Sequence, residues 1–328
     1  MTDRPRPGTR PVSYTRPVIA LTDVESAARR ITGHVRDTPL VEVTGELPGA
    51  RAWLKLEFLQ HTGSFKARGA FNRLLGAAED GGLPEAGVVA ASGGNAGLAV
   101  AHAAARLGAS AEVFVPLTAP AVKVARLREL GARVMQVGER YLDAYRAATE
   151  RAELGGALFC HAYDQPEVVA GQGTLGLELL RQSADEVDTV LVAVGGGGLI
   201  AGIAAATEGR ARVVGVEPRT SAAMHAALEA GRPVDVPVSG VAADSLGATS
   251  LGGIAHAVLG RTGAESVLVD DEAIVEARRE LWRRHRLVVE HGTAAAFAAL
   301  RTGAYRPAPD ERVAVVLCGA NTDPADLG

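Results

Sequence analysis

The chain has 328 residues, enough for two lobes at ~100–200 residues per domain. Hydrophobic residues make up 47% and charged residues 22%, with a net charge of −4. That balance excludes a disordered chain and leaves no broad basic field for nucleic acid. No run approaches the roughly 20 uncharged apolar residues of a membrane helix, and the opening MTDRPRPGTRPVSYTRP lacks the apolar core of a secretory signal. Two cysteines, Cys160 and Cys318, cannot build a disulfide framework. A soluble, cytoplasmic protein is expected.

Residues 1–19, rich in Pro and Arg, read as a flexible arm. A helix follows near Thr22, with early acids and late arginines. From Val88 onward short β-rich runs alternate with Ala-rich helical runs. VVAA (88–91), EVFVP (112–116), ARVMQV (132–137) and ALFCHAY (157–163) form one set of strands. VDTVLVAV (187–194), ARVVGVE (211–217), SVLV (266–269) and RVAVVLC (312–318) form another, and a long amphipathic helix runs from Asp271 to Arg286. The stretch 231–253 is Gly/Pro/Ser-rich and irregular. Strands alternating with helices predict an α/β fold of two open, twisted, mainly parallel sheets with helices on both faces. The expected division is a large domain over 20–86 and 164–328 and a small domain over 87–163, with the active site in the cleft between them.

Four segments could carry chemistry. Gly195–Gly202 (GGGGLIAG) follows an apolar strand and opens a helix, where bare backbone amides cradle an anion such as phosphate. It is not a Walker loop, but Gly196, Gly198 and Ala201 also fit a dinucleotide fingerprint with Glu217 as its ribose acid, so nicotinamide or flavin binding stays open on this segment alone. Ser92–Gly97 (SGGNAG) is a second strand-to-helix turn, suited to a carboxylate. Cys318 ends the last strand, in LCGAN, where a small core residue is the plainer role. Lys66 sits in TGSFKARGA. Of 34 basic residues only Lys55, Lys66 and Lys123 are lysines. An amine kept against so strong an arginine bias suggests chemistry that a guanidinium cannot do.

In order and spacing these motifs resemble the tryptophan-synthase-β-like (fold type II) pyridoxal-phosphate enzymes, and among them the serine/threonine dehydratases. The resemblance runs from about residue 20 to the end and absorbs the dinucleotide reading, which leaves Lys66 and SGGNAG unexplained. It implies pyridoxal 5′-phosphate held on Lys66 as a Schiff base, with Lys66 then working on the substrate Cα proton. Phe65 would pack on the ring and Asn95 would meet the ring hydroxyl. Gly195, Gly196, Gly197, Gly198 and Leu199 would hold the phosphate, and Cys318 would face the pyridine nitrogen. Ser92, Gly93, Gly94, Asn95 and Ala96 would clamp the substrate carboxylate.

The implied reaction is β-elimination from L-serine or L-threonine to a 2-oxo acid and ammonia. The close alternatives are serine racemisation and dehydration of another β-hydroxy amino acid such as 3-hydroxyaspartate; β-replacement is a variant and an NAD(P)-dependent oxidoreductase a remote rival. Racemases of this family place a serine where this chain has Gly93, so elimination is preferred. Cys318 and the Ala96-Gly97 loop ending resemble the serine dehydratases of animals. Relatives that bind a divalent cation use a Glu at the position of Glu217, but Ala222-Ala223 stands where an Asp is expected, so no metal is expected. Glu290 matches a Glu-Pro-x-Ala-Gly pattern in which His291 replaces the proline. The segment 242–253 would line the substrate side, with Ser245 at a common glycine position. No C-terminal regulatory domain fits after Cys318, and a homodimer is expected.

Overall fold

The computed structural model describes residues 19–43 and 51–327. Eleven α-helices and ten strands are assigned among them. The expected arm lies outside the described residues except for Ile19, which is packed into the core. Its carbonyl accepts a hydrogen bond from the Arg261 side chain.

The first elements are α1 (Leu21–Ile31), β1 (Leu40–Val43), β2 (Arg51–Lys55) and α2 (Lys66–Glu79). Helix α1 starts where Asp23 accepts the Ala20 amide, leaving its apolar face, Val24, Ala27 and Ile31, buried. Next come β3 (Val88–Ala91), α3 (Asn95–Arg106), β4 (Ala111–Val115), α4 (Ala121–Glu129), β5 (Arg133–Gln136), α5 (Tyr141–Gly155) and β6 (Leu158–Phe159). The second half holds α6 (Pro166–Gln182), β7 (Thr189–Ala193), α7 (Gly198–Thr207), β8 (Arg212–Pro218) and α8 (Ala223–Ala230). It closes with α9 (Gly253–Thr262), β9 (Glu265–Val269), α10 (Asp271–His285), α11 (His291–Thr302) and β10 (Arg312–Val316).

The strands form two sheets, a six-stranded one in the order β1, β2, β10, β7, β8, β9 and a four-stranded one in the order β5, β4, β3, β6. All neighbours are parallel except β1 and β2. Every residue of β7 is buried, as expected for a parallel strand covered on both faces. Each sheet has its own hydrophobic core. Helix α2 is shared: Ala67, Ala70, Phe71 and Leu74 join the core of the smaller sheet, while the helix also packs on α6. Helices α6 and α7 cross where a Cβ on Gly202 would lie 2.4 Å from the Gly173 amide, so glycine there permits the approach.

The run 157–163 forms only the two-residue β6. Its continuation turns away because His161 Nδ1 accepts the amides of Tyr163 and Asp164, a local bond that competes with the ladder. That turn directs Ala162 and Tyr163 toward the larger sheet.

Candidate active site

Lys66 opens α2, and the loop before it is zipped to the segment after β10. Phe65 donates its amide to the Cys318 carbonyl at 3.0 Å, Ala320 donates to Gly63 at 3.0 Å, and Asn321 Nδ2 donates to the Thr62 carbonyl at 2.7 Å. Ser64 and Gly319 form an antiparallel bridge. Two segments far apart in sequence thereby set Lys66 and Cys318 side by side. Lys66 Nζ donates to the Ala162 carbonyl at 2.7 Å and lies 4.8 Å from the centre of the Phe65 ring. Burial pulls its ammonium down to about 8, although Cys318, Cys160 and Glu290 oppose the shift. Free amine is therefore accessible just above neutral pH.

The residue after Ala162 reaches the glycine loop. A Cβ on Gly196 would lie 2.4 Å from the Tyr163 ring, and one on Gly198 would lie 2.7 Å from the Tyr163 carbonyl. Gly197 has φ +88°, and a Cβ there would meet Leu251 at 2.5 Å and Ala255 at 2.6 Å. Only glycine fits this turn. The first amides of α7, including Leu199, have no partner within the helix and form an anion cradle. Thus one dipeptide, Ala162-Tyr163, touches both the amine and the cradle; no local pattern marks it in the sequence.

Ser92–Gly97 joins β3 to α3. The Gly94 amide donates to Ser92 Oγ at 3.2 Å, and a Cβ on Gly97 would collide with the Ser92 carbonyl at 1.9 Å. Asn95 is drawn across to the larger sheet. Its Nδ2 donates to Glu290 Oε1 and Oε2 at 2.8 and 3.1 Å, and its Oδ1 accepts from Asn321 Nδ2 at 2.6 Å. Glu290 also accepts the Asn321 amide at 3.0 Å. Burial pushes the Glu290 carboxyl up while Asn95 pulls it down, with a net rise. Glu290 lies in VVEHG and Asn321 in LCGAN, but no local signal in the sequence joins either residue to Asn95.

Cys318 is buried, and burial pushes its thiol up to about 12, so it is neutral. Its Sγ lies 3.3 Å from Thr293 Oγ1, a neighbour that sequence reading missed. Glu217, the weak metal candidate, is fully buried and accepts the Met224 and His225 amides at 2.7 and 2.9 Å. Its carboxyl, pushed up to about 7 by burial, caps α8. No ribose hydroxyl can reach it, which removes the acid that the dinucleotide reading needs. His291 sits at the start of α11, with Nε2 3.8 Å from Asp326. Ser245 is packed so that a Cβ on Gly292 would lie 2.3 Å from its Oγ.

The arrangement offers an amine able to attack a carbonyl, an anion cradle, a neutral thiol and a second set of helix-start amides. No helix among the described residues is long and apolar enough to cross a membrane. The chain matches a family model described as pyridoxal-phosphate dependent enzyme over residues 31–319. It is 36% identical over 311 residues to an L-threonine ammonia-lyase of Thermotoga maritima, covering 93% of this chain and 76% of the relative. Its fold is similar to a T.th. threonine deaminase, with a TM-score of 0.84 and 38% identity over 93% of this chain and 99% of that one. It is also similar to a maize serine racemase, with a TM-score of 0.87 and 29% identity over 94% of this chain and 95% of that one. The chain belongs to the pyridoxal-phosphate dependent enzyme family.

Proposed function

We propose that this enzyme is an L-threonine/L-serine ammonia-lyase that eliminates the β-hydroxyl to give a 2-oxo acid and ammonia. The observation that carries the reading is the Lys66 amine, lowered to about 8 and joined through Ala162-Tyr163 to the glycine cradle. These residues fit the cofactor. Lys66 would hold its aldehyde carbon, Gly195–Gly198 and the Leu199 amide its phosphate, Phe65 its ring face, Asn95 its ring hydroxyl and Cys318 its ring nitrogen. When bound, the cofactor supplies an electron sink for the pair released at the substrate Cα. Lys66, as free amine, takes the Cα proton. Ser92, Gly93 and Gly94 with the first amides of α3 hold the substrate carboxylate, assisted by Asn95 and Ala96 at the helix start. The neutral Cys318 thiol offers the ring nitrogen no formal negative charge, which keeps the sink shallow and favours prompt elimination.

Similarity to a racemase gives the second reading. Racemisation needs an acid/base group on the opposite face, and Gly93 has no side chain to supply one. The two cysteines are free thiols, which supports a reducing, cytoplasmic setting; the resemblance supports a homodimer. The deciding experiment is the visible absorbance spectrum of purified protein supplied with pyridoxal phosphate, before and after L-threonine or L-serine. A band lost in Lys66→Ala, perturbed by substrate and accompanied by 2-oxo acid, is expected. A perturbed band with D-amino acid and no 2-oxo acid would replace elimination by racemisation. No band would overturn the role of Lys66.

A further inference from the structure

Thr293 lies in the first turn of α11, 1% exposed, between Cys318 and the following residue. Its hydroxyl has one proton and two neighbours able to accept it: the Gly319 carbonyl at 2.9 Å and Cys318 Sγ at 3.3 Å. A carbonyl oxygen is much the better acceptor, and thiol sulfur a weak one. The proton therefore goes to Gly319, and the Thr293 oxygen turns its lone pairs to the sulfur. Between Cys318 and Thr293 only the thiol can then donate. Because burial keeps the thiol protonated, it has that proton to give.

Resting on the cofactor reading above, we propose that Thr293 is a positioning residue which, through the one-way chain Cys318 S–H to Thr293 O–H to Gly319 C=O, turns the thiol proton away from the ring nitrogen. The ring nitrogen then meets a sulfur lone pair and receives no hydrogen bond from position 318. A donor there would stabilise electron density drawn into the ring; its removal makes the sink shallower than the presence of a thiol alone implies. The proton direction, set by a residue that does not itself face the ring, tunes the site toward fast release of the β-substituent.

The test uses the full-length chain carrying Cys160→Ala, so that Cys318 alone gives an infrared S–H stretch, recorded with cofactor bound and after its removal. The band is expected at lower wavenumber than that of an unbonded thiol. In the cofactor-free protein Thr293→Val, nearly isosteric, should raise it to the unbonded position, and Thr293→Ser should keep it low. The Gly319 carbonyl still accepts the Glu290 amide at 3.1 Å in either variant, so no buried acceptor is orphaned. An unbonded band in the Thr293 protein itself overturns the chain even if a variant fails to fold. In protein loaded with pyridoxal phosphate isotopically labelled at the ring nitrogen, Thr293→Val should move the ring-nitrogen resonance toward that of a hydrogen-bonded pyridine, and Thr293→Ser should not. A low infrared band without that movement overturns the role toward the ring. Failure to retain the cofactor at all would overturn the underlying reading, while the infrared band of the cofactor-free protein still decides the hydrogen-bond chain.

Discussion

Lys55 and Lys66 stand on either side of one short loop, and both run into protein, yet their surroundings give them opposite tasks. Lys55 is fully buried and donates to Glu178 at 2.5 Å, the Thr38 carbonyl at 2.6 Å and Gln182 at 2.8 Å. Burial pulls its ammonium down and Glu178 opposes that. Burial likewise pushes Glu178 up, but Arg68 and Lys55 pull it further down, below the usual carboxylate range. Arg68 completes the cluster through Glu57 at 2.7 and 2.9 Å. All three Lys55 donor positions are used, so this amine is a fixed structural cation. Lys66 has one carbonyl partner and no carboxylate within salt-bridge distance among the described residues. Its amine is expensive to charge and free to react. Burial alone does not make a lysine chemical; burial without a counter-charge does.

The largest break in this comparison is Lys66→Ala. Removing the Lys66 amine should cut ammonia-lyase kcat/KM by about 10³-fold or more, with a urea midpoint close to the parent's. Lys55→Ala should do the reverse: stability falls by about 3–5 kcal/mol, since a partner leaves a buried ion cluster, while the protein that remains folded keeps its KM. Chemical denaturation combined with steady-state kinetics separates the two.

A pH experiment sharpens the contrast. In cofactor-free protein, folded Lys66 loses its proton near 8, whereas the unfolded lysine keeps it until about 10.5. Between those values the unfolded state binds more protons, so stability rises with pH. The stability of the parent relative to Lys66→Met should climb through that window; a flat difference would place Lys66 with the fixed cations. A smaller effect is expected at Gly93, where an added Cβ meets only Val115 Cγ1, at 3.5 Å. Gly93→Ser should therefore fold and release traces of D-amino acid, detected by chiral chromatography, with 2-oxo acid still the main product. The third lysine gives the smallest change. Lys123 pairs with the exposed Asp244, and Lys123→Ala should alter stability by less than about 1 kcal/mol.

Of the three lysines, the sequence points to Lys66 for chemistry because it sits among glycines beside Phe65, and the structure sets it apart from Lys55 by the absence of a carboxylate partner among the described residues. Alternation of apolar strands with Ala-rich helices marked the two-sheet architecture, and glycine runs marked the two strand-to-helix turns proposed to hold anions, since those signals are local. The rest depended on contacts across the chain. Nothing near Glu290 announces Asn95, and nothing near Thr293 announces the Cys318 sulfur. The buried cluster of Lys55, Glu57, Arg68 and Glu178 is invisible in sequence because its members come from β2, the loop after it, α2 and α6. The antiparallel pair β1 and β2 also went unread, β1 being short and without a fully buried residue.

Strand β10 lies between β2 and β7 although it follows both by a long stretch of chain, and the segment just after it fastens the lysine loop. During synthesis the six-stranded sheet therefore stays open at its middle, with the Lys66 loop untethered, until residues near 321 have left the ribosome. Such distant pairing slows folding. It also means that a nascent or prematurely terminated chain carries the reactive amine without the surroundings that activate it, so competence arrives in one late step.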